Sequence, residues 1–373
     1  MQPTLPPIPK SFGAIRNVFS SALDAVLGKP NDLGYRPKSK VVVVLVDGLG
    51  ADQLRERSGH APWLNAQMNS GRVVYCAYPA TTSANIGSFA TGMLPGEHGL
   101  IGHQVWDRHH DERINLLVGW NERTDPMVWQ PHQTIAERAA VSGISANVIA
   151  AAEYRDTPYT KATMRGAEFM ASESIADRFE QARKVVAQAN RSISYLYIPE
   201  LDKYGHKHGW RSPGWAALLE EVESQVKRFA ERLPADTGLV LTSDHGMVET
   251  QKDRQLILDD TLSGLGLEFF GGDTRSSYLY FESETAIDEA LTRLNSLSHA
   301  LSAHRAKDLM AAGWYGDAGE QALNRMPEVV LQARSNFTLY HTGFSKQRAF
   351  DMISHHGSIS PAEMRIPLIR VGI

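Results

Sequence analysis

One cysteine, Cys76, occurs in 373 residues, so no intrachain disulfide can form, and the composition fits a reducing compartment. Cys76 sits inside the apolar stretch Val73-Val74-Tyr75-Cys76-Ala77, where a buried, inert thiol is expected rather than a nucleophile. Long hydrophobic runs are also missing. None approaches the ~20 residues of a spanning helix, and the opening Met1-Gln2-Pro3-Thr4-Leu5-Pro6-Pro7 lacks the basic start and apolar stretch of a secretory signal. The expectation is a cytoplasmic protein without a membrane partner. Charge of one sign is scarce too: the net charge is −4 with acids and bases intermixed, which leaves no footprint for a nucleic-acid duplex.

Histidine, by contrast, is plentiful. Several of the fourteen stand beside Gly or Asp, the composition of a metal site. The most informative segment is Val41-Val42-Val43-Val44-Leu45-Val46-Asp47-Gly48-Leu49-Gly50. Six apolar residues in a row read as a strand buried on both faces, as in the centre of a parallel sheet, and Asp47 stands where that strand ends. Ligands bind at that edge of open α/β sheets, and a buried carboxylate there needs a counter-charge such as a metal. An Asp capping the next helix is the other reading, and this segment alone does not separate the two.

Further along, strand-like Ala146–Ala151, Ile193–Ile198 and Gly238–Thr242 alternate with helical patterns over Ser174–Ala189 and Trp215–Leu233. Ser11 can cap an earlier helix whose apolar face runs from Ile15 to Val26. The alternation predicts a layered α/β domain with a largely parallel sheet. From Glu249 to about Ser354 the pattern changes to strands at Ser277–Phe281 and Val329–Ala333 with a helix around Ala286–Leu297, which reads as an inserted α+β lobe, a candidate lid. The expected division is a core of residues 1–248 and 355–373 and a lobe of residues 249–354. Arg365–Val371 looks like a closing strand with Pro367 at an edge position.

Three more segments put acids and histidines after apolar strands. In Glu200-Leu201-Asp202-Lys203-Tyr204-Gly205-His206 the Asp and His are four apart, so one helical turn stacks them on one face. Ser243-Asp244-His245-Gly246 follows the Gly238–Thr242 strand, and His355-His356-Gly357 precedes the closing strand. Any one such pair is often only a structural hydrogen bond, yet several on one sheet edge would repel each other without cations. The hydroxyl-rich Thr81-Thr82-Ser83 before an apolar-periodic run marks a helix N-terminus, which favours an anion. Plain helix capping is the alternative for these hydroxyls.

Together, Asp47-Gly48, Pro79-x-x-Thr82-x-x-Asn85 through Thr91-Gly92-x-x-Pro95-x-x-His98-Gly99, Tyr197-x-x-Glu200-x-Asp202-x-x-Gly205-His206-x-x-Gly209, Ser243-Asp244-His245-Gly246-Met247 and His356-Gly357 resemble the type I phosphodiesterase/nucleotide pyrophosphatase family of the alkaline phosphatase superfamily, in that family's order. The resemblance implies a three-layer alkaline-phosphatase-like core and two zinc ions, although these donors also suit manganese. It implies that Asp47, Thr82, Asp244 and His245 hold one ion and Asp202, His206 and His356 the other. Three carboxylates and a Thr82 alkoxide would then balance two divalent cations, and Thr82 would attack the phosphoester to give a phosphothreonine. The expected substrate is a small phosphoester, a nucleotide among the options, with hydrolysis of phosphodiester or nucleotide pyrophosphate bonds. A phosphomonoesterase or phosphonate hydrolase on the same metals is the nearest alternative, and a non-catalytic metal-containing binding module the more distant one. Asn85 and Arg275 are candidate substrate contacts. Where many members carry an Asn that donates to a phosphoryl oxygen, this chain has His103, a donor that could add positive charge. Leu201 replaces the Pro usual before Asp202. No Cys/Ser-x-Pro-x-Arg signature is present, which sets sulfatase chemistry aside.

Overall fold

The computed structural model describes residue 5, residues 7–70 and residues 72–373. A seven-stranded sheet lies at its centre, in the spatial order Arg72–Tyr75, Arg365–Val371, Thr237–Thr242, Lys40–Val46, Ser192–Ile198, Ser145–Ala150, Glu168–Ala171. The Lys40–Val46 strand runs parallel to both neighbours, with Val46 opposite Ile198 and Leu45 opposite Thr242. Its run of valines is explained by cover on both faces. Val41, Val43 and Leu45 join a core with Phe19 of the helix Arg16–Leu27 and Phe89 of the helix Thr82–Thr91; Val42, Val44 and Val46 join one with Phe179 of Ile175–Gln188 and Leu219 of Pro213–Ala230. The result is a three-layer α/β architecture whose shared register brings several strand ends to one edge.

One local expectation is corrected. The first helix starts at Arg16, not after Ser11, because Ser11 and Gly13 adopt left-handed conformations and the chain turns there. The closing strand is as expected and lies inside the sheet, where Arg365–Leu368 pairs antiparallel with Arg72–Tyr75, and Ile369–Val371 with Leu239–Leu241. Pro367 is tolerated because its half of the strand has a ladder partner on one side only. The chain also contains a hairpin, Gln104–Asp107 with Glu112–Asn115, that no periodicity announced.

Beyond the Thr237–Thr242 strand, Val248–Glu249 pairs with Ser354–His355, so the excursion between them leaves and returns at one place. It carries an antiparallel sheet in the order Leu267–Gly272, Ser276–Phe281, Val329–Ala333, Leu301–Arg305, with the helix Glu284–Asn295. Alternation along Ser276–Phe281 divides the sheet's faces. Leu279 and Phe281 enter a local core with Leu291 and Leu331, while Tyr278 and Tyr280 pack into the main core. This docking holds the Gly272–Arg275 turn over the edge where Asp47, Asp202 and Asp244 emerge.

Candidate active site

Parallel register does the first part of the assembly. Asp47 directly follows the strand-end pair Val46 and Ile198, Asp244 lies two residues beyond Thr242, and Asp202 occupies the first turn of the helix Glu200–His208 that begins just after Ile198. Gly48 permits the close approach. It adopts a left-handed φ of 72°, and a Cβ there would come 3.1 Å from the Asp202 Cα. Gly246 is equally constrained, since a Cβ would sit 2.1 Å from the Ala362 carbonyl oxygen.

Two groups of side chains form on this edge. Asp47, Asp244 and His245 present ligand atoms within 4.8 Å of one another, and so do Asp202, His206 and His356. Nε2 of His245 is 3.4 Å from Asp47 Oδ1, 3.5 Å from Asp244 Oδ2 and 3.1 Å from the Thr82 hydroxyl. In the other group, His206 Nε2 lies 3.2 Å and His356 Nε2 3.9 Å from the Asp202 carboxylate, the i,i+4 stacking expected for Asp202 and His206. The groups adjoin: the His245 and His356 rings stack with centroids 3.8 Å apart.

The donor set fits divalent metal ions on an observation independent of any motif. Asp47 Oδ1, Asp202 Oδ1 and Asp244 Oδ2 are buried oxygens with no hydrogen-bond partner, costly unless a cation faces them. All three histidines turn Nδ1 to a backbone carbonyl, His206 to Ser354 at 2.7 Å, His356 to Ala80 at 3.0 Å and His245 to Gly246 at 3.2 Å. A carbonyl only accepts, so Nδ1 carries a proton and Nε2 is the ring nitrogen left to coordinate a metal. Burial and the charges of Asp244 and Asp202 push the Asp47 carboxyl well above the ordinary range, although the Tyr197 hydroxyl donates to it. Burial opposes ionisation of Asp202 as well, but the charge and hydrogen bond of His206 outweigh it and hold this carboxyl below its usual value. His356 is driven well below the normal imidazole range by burial and by His245.

Thr82 is the first residue of its helix, and the N-cap Thr81 makes no side-chain cap bond. The hydroxyls of this cluster therefore do not cap the helix: Ser83 donates to Gly102 O, and Thr82 faces His245. Asn85, expected as a substrate contact, does not line the cavity over the site. It is fully buried, accepting from Ala77 N at 2.7 Å and donating toward the carbonyls of Ala77, Pro79 and Thr81, and so clasps the loop that delivers Thr82. Arg275 is likewise corrected. It is 0% exposed and forms two 2.8 Å bonds to the equally buried Glu363, tying the excursion to the chain before the closing strand. His355 is buried between Thr274 and Met352, while His208 is exposed and packs on Tyr204.

A cavity of about 570 Å³ opens on the two groups. One part is lined by Val148, Tyr154, Tyr159, Met164, Phe169 and Tyr195, and another by the excursion's Phe270, Asp273 and Phe344 with the exposed Lys346 and Arg348. His103 lines it, with its Nε2 2.8 Å from the Asn115 amide nitrogen. Asp273 and Asn115 escaped sequence reasoning. Neither sits in an acid–histidine pattern, and each reaches the cavity only through the packing of a hairpin.

Paired carboxylate–histidine groups on the carboxyl edge of a doubly covered parallel sheet define an alkaline-phosphatase-like α/β fold, and comparison with solved structures agrees. Murine ectonucleotide pyrophosphatase/phosphodiesterase 5, solved as an inactive threonine-to-alanine variant in complex with AMP, superposes with a TM-score of 0.71 at 17% identity, covering 90% of this chain and 88% of that one. The chain belongs to the type I phosphodiesterase / nucleotide pyrophosphatase family, whose profile matches residues 41–358. Bovine bis(5'-adenosyl)-triphosphatase ENPP4 is 24% identical over 239 residues, 60% of this chain and 51% of the relative. Ectonucleotide pyrophosphatase/phosphodiesterase 1 of Saccharomyces cerevisiae is 22% identical over 220 residues, 50% of this chain and 30% of the relative. The chain thus spans about half or less of the length of these curated relatives. Several are named as ectoenzymes, which lends the cytoplasmic expectation no support. Among the described residues no helix is long and apolar enough to cross a membrane.

Proposed function

We propose that this chain hydrolyses phosphodiester or nucleotide pyrophosphate bonds in small nucleotide-like substrates, with Thr82 as nucleophile and a pair of divalent ions, zinc by preference, in the two groups. The observation that carries the reading is the Thr82 hydroxyl 3.1 Å from His245 Nε2, beside buried carboxylate oxygens that lack partners. Asp47, Asp244 and His245 with Thr82 would hold one ion, and Asp202, His206 and His356 the other. Bound there, such ions lower the pKa of a coordinated hydroxyl or water and stabilise charge on the attacking and leaving oxygens. Thr82 Oγ1 forms a bond to phosphorus as the bond to the leaving oxygen breaks, and water then cleaves the phosphothreonine to restore the hydroxyl. Asn85 holds the Thr82 loop in place for both steps. The apolar and tyrosine-lined part of the cavity offers room for an organic substituent, in keeping with the names of the relatives and the AMP bound to the murine protein.

The test is metal content together with a substrate panel on one preparation. Two metal ions per chain and a preference for diester or pyrophosphate substrates are expected; a tenfold or greater preference for monoesters would favour a phosphomonoesterase. Thr82→Ala should retain the metal and lose nearly all turnover. Activity like that of the wild type would remove Thr82 as nucleophile.

A further inference from the structure

The loop that carries His103 is tied to the loop that carries Thr82. The Ser83 hydroxyl donates to Gly102 O at 2.5 Å, so the residue after Thr82 is bonded to the residue before His103. From another side the Tyr278 hydroxyl donates to Ile101 O at 2.6 Å, and a Cβ on Gly102 would come 2.9 Å from the Tyr278 ring. Leu116 N donates to His103 O at 2.8 Å, which joins this backbone to the end of the Glu112–Asn115 strand. His103 lines the cavity together with Thr82 and Asp47. Its backbone is thus fixed near Thr82, and the chemistry it offers depends on where its ring proton sits.

One side chain decides that. Asn115 ends the second strand of its hairpin, opposite Gln104. Its Oδ1 accepts from Leu117 N at 3.0 Å and Val118 N at 3.3 Å, which leaves the amide NH2 directed at His103 Nε2, 2.8 Å away. Nε2 must then accept, and the ring carries its proton on Nδ1. Nδ1 makes no hydrogen bond to any described residue, and the Asp273 side chain faces the ring without one. His103 therefore keeps an N–H free for a group bound in the cavity. With the proton on Nε2 instead, the same ring would offer that group a lone pair, which a phosphoryl oxygen repels.

We propose that Asn115 is a positioning residue: by donating to Nε2 it makes His103 a hydrogen-bond donor, through Nδ1–H, to a non-bridging oxygen of the phosphoryl group that Thr82 attacks. This rests on the hydrolytic reading above. A donor oriented before the reaction needs no rearrangement as charge shifts onto the phosphoryl oxygens. Asn115 acts through His103, so its contribution vanishes when that ring is removed.

The experiment compares zinc-loaded wild type, Asn115→Asp, His103→Ala and the double variant. Asp at position 115 keeps an acceptor for Leu117 N and Val118 N but can only accept from the ring, so it draws the proton of a neutral imidazole to Nε2, whereas a doubly protonated ring still donates from Nδ1. In 15N spectra of histidine-labelled protein, the resonances missing from His103→Ala should place the wild-type proton on Nδ1. For bis-p-nitrophenyl phosphate, kcat/KM of Asn115→Asp relative to wild type should fall about tenfold or more as pH rises from about 6 to 9, across the range in which an imidazole beside a carboxylate loses its second proton. The added charge of Asp is constant over that range, and with His103 already Ala the same ratio should stay flat. A flat ratio with His103 present, at wild-type metal content, overturns the assignment, as does a wild-type proton on Nε2. Should Asn115→Asp not fold, Asn115→Ser retains a turn acceptor too short to reach the ring; it should show both tautomers, and a spectrum like that of the wild type overturns the assignment. If the wild type cleaves no phosphoester, the hydrolytic reading fails, and the role of Asn115 stands or falls on whether the His103 Nδ1 resonance moves when inorganic phosphate is added.

Discussion

Replacing Asp244 by Asn should reverse sign between the metal-free and metal-loaded protein. The ligand oxygens of Asp47 and Asp244 lie within 4.8 Å of each other. At an effective dielectric of about 20, two unit charges at that distance repel by about 3.5 kcal/mol. The gain shrinks to the extent that the metal-free protein relieves this repulsion by holding a proton on Asp47, whose carboxyl is raised by burial, Asp244 and Asp202. The substitution leaves the local backbone bonds intact: Asp244 Oδ1 accepts from Gly48 N at 3.2 Å and His245 N at 3.0 Å, and an amide oxygen accepts both equally well. An unfolding entropy of about 2.1 cal/mol/K per residue over 373 residues converts about 3.5 kcal/mol into a rise in melting temperature of about 4–5 °C. With metal present the same change removes a charged ligand, so the variant should melt below the wild type and bind metal more weakly.

The pH dependence follows from the same group. A carboxyl raised on folding binds its proton more tightly in the native state, so it costs stability as pH climbs from the ordinary carboxylate range through its folded value. Asn at position 244 removes one source of that rise. The metal-free variant should therefore gain on the metal-free wild type as pH increases. Calorimetric melts with and without chelator between about pH 5 and 8 provide the measurement. A metal-free variant that melts at or below the wild type throughout would mean that these carboxylates are not held together at an electrostatic cost, and the case for a cation between them would fail.

Two further substitutions probe the frame. Arg275→Met strands Glu363 at 0% exposure and should cost about 3–5 kcal/mol in urea unfolding; an unchanged midpoint would show that the pair is not a buried tie. Gly246→Ala drives a methyl group into the Ala362 carbonyl and Gln53, and should cost about 1–3 kcal/mol while weakening metal retention through displacement of Asp244 and His245. Wild-type metal content and stability in that variant would show that the loop yields without moving its ligands.

Legibility differed between residues according to what places each one. Asp47, Asp202, Asp244 and His245 follow apolar strands, and parallel register carries strand ends to one edge whatever the loops do, so local pattern sufficed to group them. Asn85 shows where a motif position misleads about contact. Its spacing from Thr82 is real, but the amide turns back on Ala77, Pro79 and Thr81, and it serves the nucleophile by fixing its loop. Arg275 was readable as a charge near the site; its partner, 88 residues away, was not. Asp273 and Asn115 had no readable signal because each faces the cavity only once a hairpin has docked, Asp273 through the burial of Tyr278 and Tyr280 and Asn115 through the pairing of Glu112–Asn115 with Gln104–Asp107. The ligand groups are thus set by the sheet, while the rest of the cavity lining is set by what packs over it.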